Sequence, residues 1–390
     1  MLVVHTADIH LDHCFDGQGF PPAVGTRRRK RQREALAGVL RHAWDRQADA
    51  VLIAGDLMDT ENLSRDTLSF VREQFARIAP VPILIAPGNK DPHTPGSPYA
   101  AEDWPENVHI FRESEWRTWH SPEVPLVVHG FANTGGPAPP GAFTGLRVPR
   151  DEKTHIVLAH AGETAHLPEG YEPVAPFTLS DILQPGLDYA ALGHIHRCLC
   201  LQENPGFAAW YAGPPEPPGF EDSGPGYFLE ITFDAASPRG GRTVTVTRRQ
   251  ASNRLHVSLE LDCTGFPNGE TLAATVKSRL PGPDLSPLLR LVLKGRICPE
   301  LWAGMPGTLA GLREGLEALV VTDHTTLDDD HDAWAAEDTA LGDFVRRMAA
   351  EIQDAPTPDD RLRLERARDL GVSAFLGRPL RHDTPTGGVE

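Results

Sequence analysis

Three short apolar runs near the start of the chain, residues 2–4, 51–54 and 81–86, are each followed within four residues by a polar side chain, Asp8, Asp56 and Asn89, and are separated by helix-patterned stretches. Runs of this kind, without polar alternation, are what strands buried on both faces require. Between the first two, Leu36, Val39, Leu40, Ala43 and Trp44 recur at helical spacing, so an amphipathic helix is expected over residues 27–47. A second helix is expected near residues 64–78. Strands and helices in alternation indicate an α/β sheet with parallel pairs. Apolar runs at 126–130, 155–160 and 188–194 repeat the theme, the last two ending in histidine, and strands at 227–233 and 243–247 would complete a sheet.

The residues just beyond these runs carry the chemistry. Asp8 and His10 sit two residues apart past the end of the first strand, and in an extended segment alternate side chains point to one side. Collected in order, the polar strand ends are Asp8, His10, Asp56, Asn89, His160, His194 and His196. All lie where an open α/β sheet presents its ligand crevice. An isolated buried histidine is ordinarily a core residue, and Gly-Asp after a strand is ordinarily a turn. So many such ends in one chain outweigh those readings. Two carboxylates, one amide and four imidazoles can furnish two metal sites. A shared carboxylate can bridge ions that stand roughly 3.5–4 Å apart in two-metal hydrolases. Mixed nitrogen and oxygen ligation suits manganese, iron or zinc better than magnesium or calcium.

At 390 residues the chain is long enough for two or three domains. A composition shift near Ser252 sets the expected division: residues 1–251 with the polar strand ends, 252–325 as a small α+β unit, and 326–390 as an acidic linker with a helical tail. In the middle unit, strands are expected at 255–261, 288–293 and 318–322. Helices are expected around Leu272, Val276 and Leu280, and along Leu309, Leu312, Leu316 and Leu319. The run Asp328-Asp-Asp-His-Asp332 reads as the linker, since such runs resist burial. Beyond it, Leu341, Phe344, Val345, Met348 and Ile352 form an apolar helical stripe, placed as a partner-binding face, with a charged helix following at 359–370.

The net charge of −17 argues against indiscriminate nucleic-acid binding but not against a local basic track. The candidate track is Arg27, Arg28, Arg29, Lys30, Arg31 and Arg33, read as contacting phosphate or a partner. No apolar run approaches the roughly 18 residues a membrane span needs, and the start lacks a secretory pattern, so a cytoplasmic location is expected. The five cysteines are scattered and read as reduced thiols.

Asp8-Ile-His10, Gly55-Asp56-Leu-Met-Asp59, Gly88-Asn89, His160 and Gly193-His194-Ile-His196 resemble, in order and spacing, the calcineurin-like metallophosphoesterases. His5-Thr-Ala-Asp-Ile-His-Leu-Asp12 and Tyr211-Ala-Gly-Pro-Pro-Glu216 are similar to the SbcD-type DNA-repair exonuclease subunits. The resemblance covers roughly residues 1–250, and more loosely the α+β unit, which it likens to a DNA-facing cap. It implies layered, sandwich-like sheets with flanking helices. It also implies two divalent ions, typically manganese: one on Asp8, His10 and His196, the other on Asn89, His160 and His194, with Asp56 between them. The implied activity is metal-dependent hydrolysis of DNA phosphodiesters, as exonuclease or endonuclease, alongside an SbcC-type coiled-coil ATPase held by the C-terminal helices. A homodimer is compatible with this reading.

One departure stands out. The family pattern Gly-Asn-His-Asp reads Gly88-Asn-Lys-Asp91 here, so the implied catalytic imidazole is replaced by Lys90. With a reference pKa of about 10.4, lysine is a poor proton donor at neutral pH but can stabilise negative charge. His93 is the candidate substitute donor if its loop folds back. Asp59 is expected to orient a ligand and Asp91 to brace the asparagine loop. The competing functions are a small-molecule phosphodiesterase and a weakly catalytic scaffold for DNA ends or the ATPase.

Overall fold

A computed structural model describes residues 1–378 except 16–21, 137, 139–141, 168–172, 205, 221, 223, 235–242, 253–254 and 282–286. The chain divides into two compact units, one of Met1–Phe15 with Gly25–Arg254, the other of Asp16–Val24 with Leu255–Glu390.

Chain order through the first unit is β1 (Leu2–Thr6), α1 (Pro22–Asp45), β2 (Ala50–Ile53), α2 (Arg65–Arg77), β3 (Ile83–Ile85), α3 (Pro98–Ala101), β4 (Val108–Ile110), β5 (Arg117–His120) and β6 (Leu126–Phe131). It continues with β7 (Thr154–His160), α4 (Leu179–Ile182), β8 (Tyr189–Gly193), β9 (Leu199–Asn204), β10 (Phe207–Tyr211), β11 (Gly226–Phe233) and β12 (Val244–Ser252). The strands form two six-stranded sheets, ordered β12-β11-β1-β2-β3-β4 and β5-β6-β7-β8-β10-β9. Within them β1 to β4 pair in parallel, as do β6, β7 and β8, while β11, β12, β5 and β9 pair antiparallel with their neighbours.

The apolar runs are explained by burial on both faces. Val3, Leu52 and Leu84 from one sheet pack with Val128, Ile156, Leu158 and Ala191 from the other, which places a core between the sheets. The alternate residues Val4, Val51, Ile53, Ile83 and Ile85 face outward onto Leu36, Val39 and Leu40 of α1 and Val71 and Phe75 of α2. On the far side, Val157, Ala159, Ala190 and Leu192 pack beneath Phe143, Leu146 and Ile182. Period-two geometry thus sends successive side chains of one strand into different cores. The result is a layered α/β sandwich with flanking helices.

Several elements depart from sequence expectation. α1 begins at Pro22 rather than at residue 27, and β3 spans only Ile83–Ile85, flanked by Pro82 and Pro87. β12 runs on to Ser252, β4, β5 and β9 carry no apolar run long enough to announce them, and β10 is an apolar run, Phe207–Tyr211, that the strand expectations leave out.

The second unit carries β13 (His256–Asp262), α5 (Gly269–Ser278), β14 (Leu288–Ile297), α6 (Pro299–Arg313), β15 (Ala318–Leu327), α7 (His331–Ala335), α8 (Ala340–Gln353) and α9 (Pro358–Phe375). Its three strands pair in parallel, in the order β13-β14-β15. Leu289, Leu291 and Leu293 pack against Leu272, Val276, Leu301 and Met305. α6 stops at Arg313, short of Leu316 and Leu319. Gly315 follows at φ 92° and turns the chain into β15, where Leu319 resides.

The acidic run is not a free linker. Asp329 is buried and pairs with Arg378 at 2.7 Å, and Asp330 caps α7 by accepting from Ala333 N–H at 3.0 Å. The expected division before residue 326 falls inside β15. α9 returns against this region, since the Leu327 N–H donates to Asp369 at 2.8 Å. Its Gly371 lies so close to Phe344 of α8 that a Cβ there would come within 2.2 Å of the ring. Part of the stripe on α8 is therefore covered by α9. Among the described residues no helix is long and apolar enough to cross a membrane.

Candidate metal centre

Parallel pairing sends the loops after β1, β2 and β3 of one sheet to meet those after β7 and β8 of the other. Backbone hydrogen bonds fasten them together: Asp8 N–H to Gly55 O at 3.1 Å, His10 N–H to Asp56 O at 2.9 Å, and Ala161 N–H to Gly193 O at 3.1 Å. Bending each chain back so sharply forces left-handed φ at Asp8 (54°), His10 (52°), Asp56 (48°) and His194 (107°). Two glycines permit the close approach. A Cβ at Gly88 would sit 2.2 Å from Asp56 Oδ1, and one at Gly193 only 1.9 Å from the Ala54 carbonyl oxygen.

The side chains converge as acceptors. His10 donates Nδ1–H to Asp59 Oδ1 at 2.7 Å, and His196 donates Nδ1–H to Asp222 Oδ1 at 3.1 Å. The two Nε2 atoms face each other at 3.1 Å, so a proton on one of them or a shared cation must lie between them. His160 donates Nδ1–H to the Ala54 carbonyl at 2.9 Å, so its Nε2 lone pair meets Asn89 Oδ1 at 2.9 Å and Asp56 Oδ2 at 3.4 Å. Lone pairs aimed at common points repel unless a cation lies among them, and carboxylates that fix imidazole tautomers are what metal-ligating histidines use. Asp8 Oδ2 is buried without a hydrogen-bond partner among the described residues.

Three groups of possible ligand atoms result among the described residues: His10 with His13 and Asp59, and two built on the strand ends, Asp8 with His10 and His196, and Asp8 with Asp56 and His160. Asp56 Oδ2 is 3.7 Å from His10 Nε2 as well as 3.4 Å from His160 Nε2, so one oxygen serves both groups. His194 joins through its ring, packed edge-on against His160 at 5.3 Å, and through its N–H, which donates to Asp8 Oδ1 at 3.0 Å.

The electrostatics show the same demand for positive charge. Burial alone would lower His10, but the Asp59 hydrogen bond and the Asp56 charge outweigh it and push the imidazole up to about 9. Burial likewise opposes ionisation of Asp56, yet the neighbouring His160 and His10 hold its carboxyl below the usual range. For Asp8, burial prevails over His196 and His160 and raises the carboxyl.

A model of the calcineurin-like phosphoesterases matches residues 1–198, slightly more than half of the chain. The chain belongs to the calcineurin-like phosphoesterase family. It is 29% identical over 328 residues to the uncharacterized metallophosphoesterase YhaO of Bacillus subtilis, spanning 80% of this chain and 76% of that protein. Solved structures similar to it include TT1561 of Thermus thermophilus, at 14% identity and TM-score 0.35 over 64% of this chain and 98% of that one. Wild-type Vps29 complexed with zinc, from Entamoeba histolytica, is similar at 12% identity and TM-score 0.27 over 64% and 99% of the two chains. Metallophosphoesterases hydrolyse phosphoesters with divalent metal ions, and the acceptor groups on these strand ends fit such ions.

The structure of this metallophosphoesterase brings Asp8, His10, Asp56, Asn89, His160, His194 and His196 together, and treats the other candidates differently. Lys90 lies in the same loop with an exposed side chain; its N–H donates to Asp56 Oδ1 at 2.8 Å. Its carbonyl accepts from the Thr60 hydroxyl at 2.8 Å. His93 does not fold back onto the ligands. Its N–H is anchored to the Asn133 carbonyl at 2.8 Å, and it lines a separate cavity with Tyr99, Trp104 and Arg112. Burial and the Arg112 charge lower its imidazole.

The basic run does not form one surface, because seven successive residues span nearly two helical turns. Arg28 is fully buried and donates to the Pro217 carbonyl, so it cannot meet phosphate. Arg33 is committed to Asp66 at 2.6 Å and stacks over Phe70, and Lys30 pairs with Glu34 at 3.6 Å. Arg27, Arg29 and Arg31 keep some exposure.

Asp91 braces the asparagine loop, accepting from Gly88 N–H at 2.7 Å, Asp56 N–H at 3.0 Å, Leu57 N–H at 2.7 Å and the Tyr99 hydroxyl at 2.6 Å. Asp59 orients His10 and also accepts from His13 Nδ1 at 2.7 Å. Sequence reasoning misses Asp222, which lies in an irregular loop where no spacing pattern marks it.

Proposed function

We propose that this metallophosphoesterase is a two-metal DNA phosphodiester hydrolase, an exonuclease or endonuclease of repair or end processing, working in the cytoplasm with an SbcC-type coiled-coil ATPase. The observation that carries the two-metal part is the placement of Asp56 Oδ2 between His10 and His160, one carboxylate oxygen serving two acceptor groups. The DNA part is supported by the SbcD-like phrases around His5 and Tyr211 and by the presence of an α+β unit beyond the phosphoesterase sheets.

Asp8, His10 and His196 would hold one ion and Asn89, His160 and His194 the other, with Asp56 shared; manganese is the metal we propose. When bound, such ions polarise the phosphoryl group and lower the pKa of a coordinated water. Asp59 and Asp222 hold His10 and His196 in the tautomer that leaves Nε2 free to ligate. Asp91 fixes the loop that carries Asn89. Lys90, exposed beside these groups, offers a positive charge to a phosphate.

The full chain loaded with manganese is to be assayed on linear duplex DNA, single-stranded DNA and a small phosphodiester. Hydrolysis of DNA that disappears in Asp56→Ala is the expected result. Turnover of the small diester alone would replace DNA with a small nucleotide as substrate. Absence of metal-dependent turnover on every substrate would leave the scaffold reading, which the loss of the family's imidazole at Lys90 favours. For the ATPase, the proposed contact is the α8–α9 pair, where Phe375 is 53% and Leu376 41% exposed. Phe375→Asp should abolish copurification with the ATPase while leaving phosphodiester cleavage intact; retained copurification would remove this contact.

A further inference from the structure

A groove of about 600 Å³ lies between α1 and the β11–β12 pair, lined by none of the metal-centre residues. Its size is within the range of small-molecule sites. Ala35, Gly38 and Val39 of α1 form one apolar strip and Phe228 and Ala251 another, set among the polar side chains of Arg31, Glu34, His42, Arg249, Gln250 and Ser252. Gly38 faces open space: a Cβ added there meets nothing within 4 Å.

Most of the charges around this groove are already matched. Glu34 pairs with Lys30 at 3.6 Å, while Arg249 and His42 both bind Glu230 at 2.8 Å. Arg31 is engaged as well. Glu216 is the exception. It lines the groove, is 3% exposed, and its Oε1 is buried with no hydrogen-bond partner among the described residues. Its position is rigidly set, between Pro214-Pro215 and Pro217-Pro218, with the Arg28 guanidinium on the Pro217 carbonyl. Gln32, one turn along α1 from Arg28, is also fully buried, with both amide atoms unpartnered among the described residues. A buried carboxylate without a donor is strongly disfavoured, whereas one that receives charged N–H donors is not.

We propose that this groove binds a small organic cation: an alkyl chain ending in an ammonium or guanidinium group. The cationic head pairs with Glu216, and the methylenes lie along Ala35, Gly38, Val39, Phe228 and Ala251. The neighbouring Arg31 and Arg249 exclude a second cation and so favour a ligand charged at one end only.

Calorimetric titration of the full chain with n-butylguanidine and n-butylamine, with n-butanol as the uncharged control, tests this. The two cations should bind and butanol should not. Glu216→Gln should weaken binding by about tenfold or more, the loss expected for a charge-assisted hydrogen bond. Gly38→Leu fills the groove from an open helical position and should block binding while preserving the circular dichroism spectrum. If Glu216→Gln fails to fold, Gly38→Leu decides. No heat with either cation, or binding unchanged in Gly38→Leu or in folded Glu216→Gln, overturns the proposal.

Discussion

Glu230 on β11 is the carboxylate that ties α1 to the sheet, and its replacement by glutamine should lower stability in a pH-dependent way. The side chain is 3% exposed and accepts from His42 Nε2 at 2.8 Å, Arg249 Nη2 at 2.8 Å and Arg46 Nε at 3.1 Å. Burial alone would raise its pKa, but the hydrogen bonds from Arg249, His42 and Arg46 outweigh burial and bring it from 4.5 to about 2. At about 1.4 kcal/mol per unit, the full shift corresponds to roughly 3 kcal/mol. Arg46 is 51% and Arg249 42% exposed, so solvent screens part of it. About 2 kcal/mol is the expected loss in Glu230→Gln at pH 7.

The sign follows from a depressed carboxyl: its contribution is complete above the unfolded value near 4.5 and is lost as pH falls toward 2. Urea unfolding of parent and variant at pH 7 and pH 3, followed by far-ultraviolet circular dichroism, measures this. The difference between the two proteins should be about 2 kcal/mol at pH 7 and less than about half of that at pH 3. A difference of equal size at both pH values would show that Glu230 acts by packing rather than by its charge. A difference under about 0.5 kcal/mol at pH 7 would mean that side-chain ordering cancels the ion pairs.

Two further outcomes bear on the metal centre. Asp59→Ala frees the His10 ring to rotate and should weaken metal binding by about 10- to 100-fold in a direct titration with manganese; unchanged affinity would show that packing alone orients His10. Lys90→His should raise manganese-dependent phosphodiester cleavage by about tenfold or more, since a positioned acid–base group contributes about 10²–10⁴. A lower rate would identify Lys90 itself as the adapted catalytic group.

The parts of this fold that are readable from the sequence are those where one physical demand dominates. β1, β2, β7 and β8 are buried on both faces, so each reads as an unbroken apolar run, and the polar residues just beyond them stand out. β5 and β9 are edge strands with exposed residues such as Arg117, Thr118 and Glu203, and their pattern matches loops as well as strands. Residues whose environment is set by distant chain segments are likewise illegible. Arg28 looks like part of a solvated basic track until Pro217 is brought to it, and Asp329 looks like linker until Arg378 arrives. Asp222 reaches His196 from a loop without periodicity. Composition carries charge totals, but only tertiary structure assigns each charge a partner.

The strained backbone of the metal centre needs a tightly packed core around it. Asp8, His10, Asp56 and His194 each hold left-handed φ, at about 1–3 kcal/mol apiece, and Asp12 adds a fifth at 61°. Together these approach the net stability of a whole domain, about 5–15 kcal/mol. Such a load persists only if the strands feeding those residues cannot shift. Val3, Leu52, Leu84, Ile156, Leu158 and Ala191 meet that condition: all are 0% exposed and packed between the two sheets. The loops are then fastened to one another by Asp8 N–H on Gly55, His10 N–H on Asp56 and the several donors on Asp91, so relaxing one strained residue would break hydrogen bonds at its neighbours. The convergence of lone pairs at the strand ends is therefore a property of the double-faced core as much as of the ligands themselves. Core truncations such as Leu52→Ala would reach the metal centre by loosening the strands that hold it.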